Sequence, residues 1–395
     1  MSTTAIVDDA TSIEATLVSA TIFITSSFLY PLLQLQLPSL RPSLRPLSHN
    51  ERLLKKLNEH PHTKSIGNTP IKYLPTLSKK LKASIHLKDE SLNPTGTSKD
   101  RVALSILRSL LSSPSPLLSV SEGTSGSTGI SLSSLCSIIN LPCTICMPDD
   151  QSPAKLHLMK SSGALVKVVK TSSISNPSNY VNVAKKLPGF CDQFNNPNNY
   201  LVHYTTTGPE ISSSIPSPST FVMSAGTGGT ISGCGNYLKS KGWRIILSDC
   251  EGSCLYYKVK YGVAYTREQK ERGVRLNRYD TVCEGIGLDR VTENFRRGRI
   301  DGAVKVMDQE VVYMRRLMEE WEGICIGSST ACNLVACCRV ARRGERIVTI
   351  KCSLGERENE RVGNREFVEG RGLKWEGAEE WFEREFGDKM SANSL

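Results

Sequence analysis

Two glycine-rich stretches stand at the same kind of junction, and they constrain the fold more than any other feature of the chain. Glu122-Gly123-Thr124-Ser125-Gly126-Ser127-Thr128-Gly129 follows a short apolar strand pattern at 117–120 and precedes a helical pattern at 130–139. Ser224-Ala225-Gly226-Thr227-Gly228-Gly229-Thr230 follows the apolar run 221–223 and opens a second helical pattern at Ile231. A strand–loop–helix unit turns backbone N–H groups and the positive end of a helix dipole outward, so each loop is a seat for an anion. Neither loop has the lysine of a nucleotide P-loop, and neither completes G-x-G-x-x-G, because Ile231 stands where the third glycine belongs. The nucleophile-elbow pattern G-x-S-x-G also fails, with Ser127 at its last position.

The alternation continues along the chain. Strand patterns lie at 84–88, 143–147, 165–169, 220–224, 244–248 and 346–350, with helical patterns at 52–57, 101–111, 129–139, 153–160, 179–186, 231–240, 309–321 and 330–341. Short apolar strands alternating with helices predict an α/β fold with parallel sheets covered by helices on both faces. Ligands in such folds sit outside the carboxyl ends of the strands, where both glycine loops fall. Residues 250–305 show no regular pattern and are expected near the site entrance. The net charge of +10 comes from basic residues mixed with acids, and no nucleic-acid recognition motif accompanies them. It reads as a solvated surface that mildly favours anionic ligands.

A third stretch adds chemistry. In Asn93-Pro94-Thr95-Gly96-Thr97-Ser98-Lys99-Asp100-Arg101 a lysine stands between a Pro/Gly turn and the helical run 102–111. Burial there disfavours the ammonium and frees the amine as a nucleophile toward carbonyls. A lysine with two anion seats suggests a phosphorylated aldehyde cofactor and a carboxylate substrate.

The ends of the chain read differently. No charged residue occurs from 15 to 40, and 17–37 is apolar enough and long enough for a membrane-spanning helix of about 20 residues. Arg41 and Arg45 follow it, which puts the remainder on the cytosolic side. The acids Asp8, Asp9 and Glu14 argue against a secretory or mitochondrial presequence. Residues 38–50 read as a linker, and 355–390 as a solvated, charged tail. Of thirteen cysteines, only Cys143-Thr144-Ile145-Cys146 has a metal-site spacing. It lies in a strand-like run with no second pair, so the cysteines read as small buried residues in a reducing compartment.

Taken in order, Ile66-Gly67-Asn68-Thr69-Pro70, Ser98-Lys99-Asp100-Arg101, Thr124-Ser125-Gly126-Ser127-Thr128-Gly129, Asp192-Gln193-Phe194-Asn195-Asn196-Pro197, Thr207-Gly208-Pro209-Glu210, Gly226-Thr227-Gly228-Gly229-Thr230, Glu284-Gly285-Ile286-Gly287 and Gly327-Ser328-Ser329 resemble the motifs of one family. It is the fold-type-II pyridoxal-phosphate family of cysteine synthase and cystathionine β-synthase, with a membrane-anchored fungal-type cysteine synthase the nearest match. The resemblance implies two three-layer α/β subdomains, tryptophan-synthase-β-like, with pyridoxal 5'-phosphate in the cleft between them. That divides the chain into an anchor and linker (1–50), a subdomain carrying the Schiff-base lysine (51–200), a subdomain carrying the phosphate loop (201–358) and a tail (359–395).

The same resemblance implies the roles. Lys99 binds the cofactor covalently and moves the substrate's α-proton. Gly226, Thr227, Gly228, Gly229 and Thr230 hold the phosphate, and Ser328 meets the pyridine nitrogen. Thr124, Ser125, Gly126 and Gln193 grip the substrate carboxylate, and Gly285 belongs to a substrate-facing loop. Ser127 stands where the family has an asparagine against the ring hydroxyl, and Cys352-Ser353-Leu354-Gly355-Glu356-Arg357 departs from the family pattern. The activity implied is conversion of O-acetyl-L-serine and sulfide to L-cysteine and acetate. No general acid stands beside the motifs, which favours acetate over hydroxide as leaving group. Alternatives are cystathionine synthesis, cysteine desulfhydration, serine dehydration, or a membrane-tethered cofactor-binding protein without turnover. A homodimer is implied, with no metal and no nucleic acid. The mitochondrial outer membrane is one address; a soluble cytoplasmic or mitochondrial protein is the alternative.

Overall fold

The computed structural model describes residues 46–217, 219–265 and 281–391. The stretch 17–37 expected to span a membrane lies outside them. Among the described residues no helix is long and apolar enough to cross a bilayer. The folded body begins at His49.

Among the described residues nine strands form two sheets. β1 (Ile71–Tyr73), β2 (Ser84–Asp89), β6 (Thr220–Ser224), β7 (Arg244–Cys250), β8 (Gly302–Val306) and β9 (Arg346–Lys351) make a six-stranded sheet in the order β1-β2-β9-β6-β7-β8. Only β1 runs antiparallel to its neighbour. β3 (Val120–Gly123), β4 (Cys143–Pro148) and β5 (Leu165–Val169) form a parallel three-stranded sheet.

Four helices carry the site: α1 (Lys99–Leu111), α2 (Ser127–Ile139), α3 (Gly229–Lys239) and α4 (Ser328–Val340). Successive side chains of a strand point to opposite faces, and the large sheet shows it. Phe221, Met223, Ile245 and Leu247 pack with Ile231 and Leu238 of α3, whereas Val222, Ile246 and Ile347 pack with Leu334 and Val335 of α4. Around the small sheet, Ile130 and Leu135 of α2 pack with Val102 and Ile106 of α1 and with Ile145 of β4. The α/β fold with parallel-rich sheets flanked by helices is as expected.

Several boundaries differ. β1 and β2 fall within 51–200, yet β2 pairs in parallel with β9 from Ser84↔Arg346 to Asp89↔Lys351. Ile85 and Leu87 share a core with α4, so the sheets do not divide at residue 200. β3 starts at Val120, the last residue of the apolar run expected as a strand, and buried partners satisfy its polar residues: Glu122 accepts from Gly123 N at 2.8 Å and Gln193 N at 3.0 Å. The supposedly irregular 250–305 contains a helix (Leu255–Tyr261), another (Glu293–Arg296) and edge strand β8.

The charged tail is also corrected. Helix Ala378–Ser391 buries Trp381, Phe382 and Phe386 against Tyr313 and Met314. Spacings of one, four and five residues place these aromatics on one side of the helix while its glutamates and Arg384 stay exposed. Replacing the fully buried Phe382 by Ala leaves a cavity and costs about 3–5 kcal/mol. A reduced denaturant midpoint without a changed slope checks this.

Candidate active site

The lysine loop is held from both sides. Gly96 turns at φ +71, its N–H donates to Asn93 O at 2.7 Å, and the Asp100 carboxylate accepts Thr95 N–H at 2.7 Å. Ser98 N donates to Cys352 O at 2.9 Å and Leu354 N to Gly96 O at 3.0 Å, a short ladder to the segment leaving β9. Lys99 therefore opens α1 with its stem enclosed and its amine on a cavity wall, 3.3 Å from Ser98 Oγ. Burial lowers its proton affinity below that of a free lysine, against weaker opposition from Cys352 and Glu90.

Opposite stands the loop after β6, where three glycines are required. A Cβ on Gly226 would strike Gly285 O, and one on Gly229 would strike Asn199 Oδ1. Gly228 sits at φ +85 with Phe295 Cβ only 2.6 Å from where a Cβ would be. No side chain caps the first turn of α3, so its N–H groups stay open to an anion. Asn199 Nδ2 donates to Thr227 Oγ1 at 2.8 Å, leaving the Thr227 hydroxyl proton for a ligand. Thr292 Oγ1 donates to Thr227 O at 2.7 Å, and Thr230 Oγ1 lies 3.2 Å from His203 Nε2. Burial, then Arg101 and Lys99, hold His203 well below the usual imidazole range, so the ring there is neutral. Sequence reasoning missed Asn199, His203, Thr292 and Phe295; only Thr292, a helix N-cap whose Oγ1 accepts the Phe295 N–H, has a local signature.

The loop after β3 supplies the second anion seat. Gly126 takes φ +141 with the Lys155 stem packed against it, and Thr124 Oγ1 accepts Gly126 N–H at 3.1 Å. Gln193 is a brace more than a free donor: its Nε2 donates to Gly123 O at 2.9 Å and its Oε1 accepts from Thr128 Oγ1 at 2.5 Å. Beneath it, burial pushes the Glu122 carboxyl up to about 8.

These elements enclose a cavity of about 1250 Å³. Lys99, Thr124, Ser125, Ser127 and Gln193 line it from the side of the small sheet. Gly226, Thr227, Gly228, Thr230 and Gly285 line it from the large sheet. Gly126 and Gly229 shape the wall from behind, and so does Ser328, which is fully buried with its hydroxyl accepting Glu284 N–H at 3.1 Å. Ser329 and Glu358 form the wall beside it.

A half-buried lysine amine sharing a cavity with a glycine cradle at a helix N-terminus fits pyridoxal 5'-phosphate, whose aldehyde and phosphate need those two groups. Residues 62–353 match the family described as "Pyridoxal-phosphate dependent enzyme", and the chain belongs to it. It is similar to the "Putative mitochondrial cysteine synthase" of Saccharomyces cerevisiae, 40% identical over 74% of this chain and 81% of that protein. It is 38% identical to the "Cysteine synthase 2" of Schizosaccharomyces pombe, over 77% of this chain and 83% of that one. The "Cystathionine beta-synthase" of Apis mellifera is more distant, at 33% identity over 70% and 55%.

Gly228→Ala forces a side chain into the left-handed region, which costs about 1–3 kcal/mol, so cofactor affinity falls by roughly tenfold or more in a fluorescence titration. Lys99 makes a pH-dependent prediction. Between its lowered folded value and the ordinary lysine value the unfolded chain binds more protons, so stability without cofactor rises with pH. Lys99→Met removes that slope: its cofactor-free form melts above the parent near neutral pH, and the gap closes above pH about 10.

Proposed function

We infer that the chain is a cysteine synthase, replacing the acetoxy group of O-acetyl-L-serine with sulfide to give L-cysteine and acetate. The observation that carries this is the half-buried Lys99 lining one cavity with an anion seat at Gly226–Thr230 and a second at Thr124–Gly126. Relatives named cysteine synthase, matched over most of their length, support the same reading.

Bound pyridoxal phosphate supplies the electron sink that makes the substrate's α-proton acidic. The protein's residues do the rest. N–H groups and hydroxyls of Gly226, Thr227, Gly228, Gly229 and Thr230 hold the phosphate, while Thr124, Ser125 and Gly126 hold the substrate carboxylate in the position Gln193 braces. Ser127 faces the cofactor ring and Gly285 the substrate. Lys99, whose proton affinity burial lowers, takes the proton from the substrate's α-carbon and returns it after sulfide has added. Acetate leaves as a stable anion and needs no proton donor.

The finer assignments are proposals on the same footing. Family resemblance supports a homodimer. The uncharged stretch 15–40 supports a membrane anchor with the catalytic body on the cytosolic side, and one relative's name supports a mitochondrial address. Carbonate extraction with protease protection of isolated organelles decides between an anchored and a soluble protein.

Purified protein given O-acetyl-L-serine and sulfide should release acetate and cysteine in equal amounts. In Lys99→Ala the turnover falls by at least the roughly 10²–10⁴-fold that one positioned proton-transfer group contributes. Unchanged turnover in that variant, or no cysteine from the parent, sinks the reading.

A further inference from the structure

Thr124, Ser125 and Gly126 offer an anion only neutral donors, yet a cation lies against them. Lys155, on the helix Pro153–Ser161, is 5% exposed and lines the cavity. Its stem covers Gly126, where a Cβ would stand 2.5 Å from Lys155 Cδ and 3.3 Å from Cγ. Its amine is ion-paired to Glu284, which lines the cavity from the side of the large sheet. The next residue, Gly285, touches both anion seats. Its carbonyl oxygen fills the place of a Cβ on Gly226, and a Cβ of its own would lie 3.6 Å from Ser125 Oγ. The Lys155–Glu284 pair therefore joins the seat at Thr124–Gly126 to the loop that passes beside both.

Glu284 has a second cation to fall back on. Its Oε1 lies 2.9 Å from Arg361 Nε, near enough for charge but off the line of an N–H···O bond. Arg361 is held in place, with Nη1 donating to Asp150 O at 2.9 Å. Breaking a buried ion pair is costly because it strands one charge without a partner. Glu284 avoids this by turning onto Arg361. Lys155 avoids it if another carboxylate takes its amine, since the charge-assisted hydrogen bond is then replaced in kind.

We propose that Lys155 recognises the α-carboxylate of the amino-acid substrate, passing to it from Glu284 as the substrate binds. The proposal rests on reading Thr124–Gly126 as the carboxylate seat. Glu284 is then a built-in competitor. It keeps the lysine aimed into the cavity and sets the affinity that an incoming carboxylate must exceed, which discriminates against ligands without that charge.

The test is titration of the cofactor-loaded enzyme with L-alanine and with L-alaninamide, followed by the cofactor's absorption. The two probes differ only in carboxylate against amide, and neither has a leaving group. The parent should prefer the acid. Lys155→Met should narrow that preference by roughly tenfold or more, the weight of one hydrogen bond to a charged group. Glu284→Gln removes the competitor and should bind the acid more tightly than the parent does. A pair that only braces the walls gives the opposite result, with both variants weakening acid and amide alike, and that overturns the proposal. If Lys155→Met fails to retain cofactor, Glu284→Gln decides: tighter binding of the acid supports the exchange, and unchanged or weaker binding overturns it. A parent without preference for the acid sinks the carboxylate seat as well. A parent that prefers the acid, with the preference unaltered in Lys155→Met, sinks the role of Lys155 alone.

Discussion

The position of Lys99 depends on a buried ionic knot two residues further along α1. Arg101 meets Glu90 through Nε at 2.8 Å and Glu210 through both terminal nitrogens at 2.6 and 2.7 Å, and Lys88 meets Glu210 at 2.7 Å. Taking such charges out of water costs several kcal/mol each, offset only where geometry is bidentate and every partner is present. Here two cations face two carboxylates, and the knot joins the end of β2, the start of α1 and the helix Gly208–Ser214. Gly67 packs so close that a Cβ would lie 3.0 Å from Arg101 Nη1. Motif residues far from the chemistry, Gly67, Arg101 and Glu210, thus hold the frame in which Lys99 points.

With α1 fixed, parallel strands assemble the rest. The loops that shape the cavity leave the carboxyl ends of β3, β6 and β9, so two helix N-termini converge on one space from different sheets. An anion seated there would need little from side chains, because glycine packing leaves the N–H groups open. The tuned groups lie elsewhere, as a lysine whose proton affinity burial lowers and a carboxyl whose proton affinity burial raises. Their opposite shifts have one leading cause, the cost of holding a charge away from water.

Local pattern carried much of this. The apolar runs at 165–169 and 220–224 coincide with β5 and β6, and both glycine loops leave strands as expected. Where local pattern failed, the cause was pairing or packing at long range. β8 is an edge strand of mixed residues that gains its identity from Ile246↔Gly302 and its neighbours in β7. Trp381 and Phe382 sit among so many charged residues that composition masked one apolar face. Gln193 passed for a ligand group because an amide looks free in a sequence; its partners, Gly123 and Thr128, lie about 65–70 residues away.

By itself the sequence determined what proximity along the chain can encode: the strand–loop–helix junctions, the glycines at positions that admit no side chain, and a lysine at a helix start. Tertiary structure alone decided which strands share a sheet, that β2 joins β9 across more than two hundred and fifty residues, and that Glu358 reaches the wall Ser328 does not. The physical reason is that hydrogen-bond registers and proton affinities are set by neighbours in space, and burial brings those neighbours from any distance along the chain.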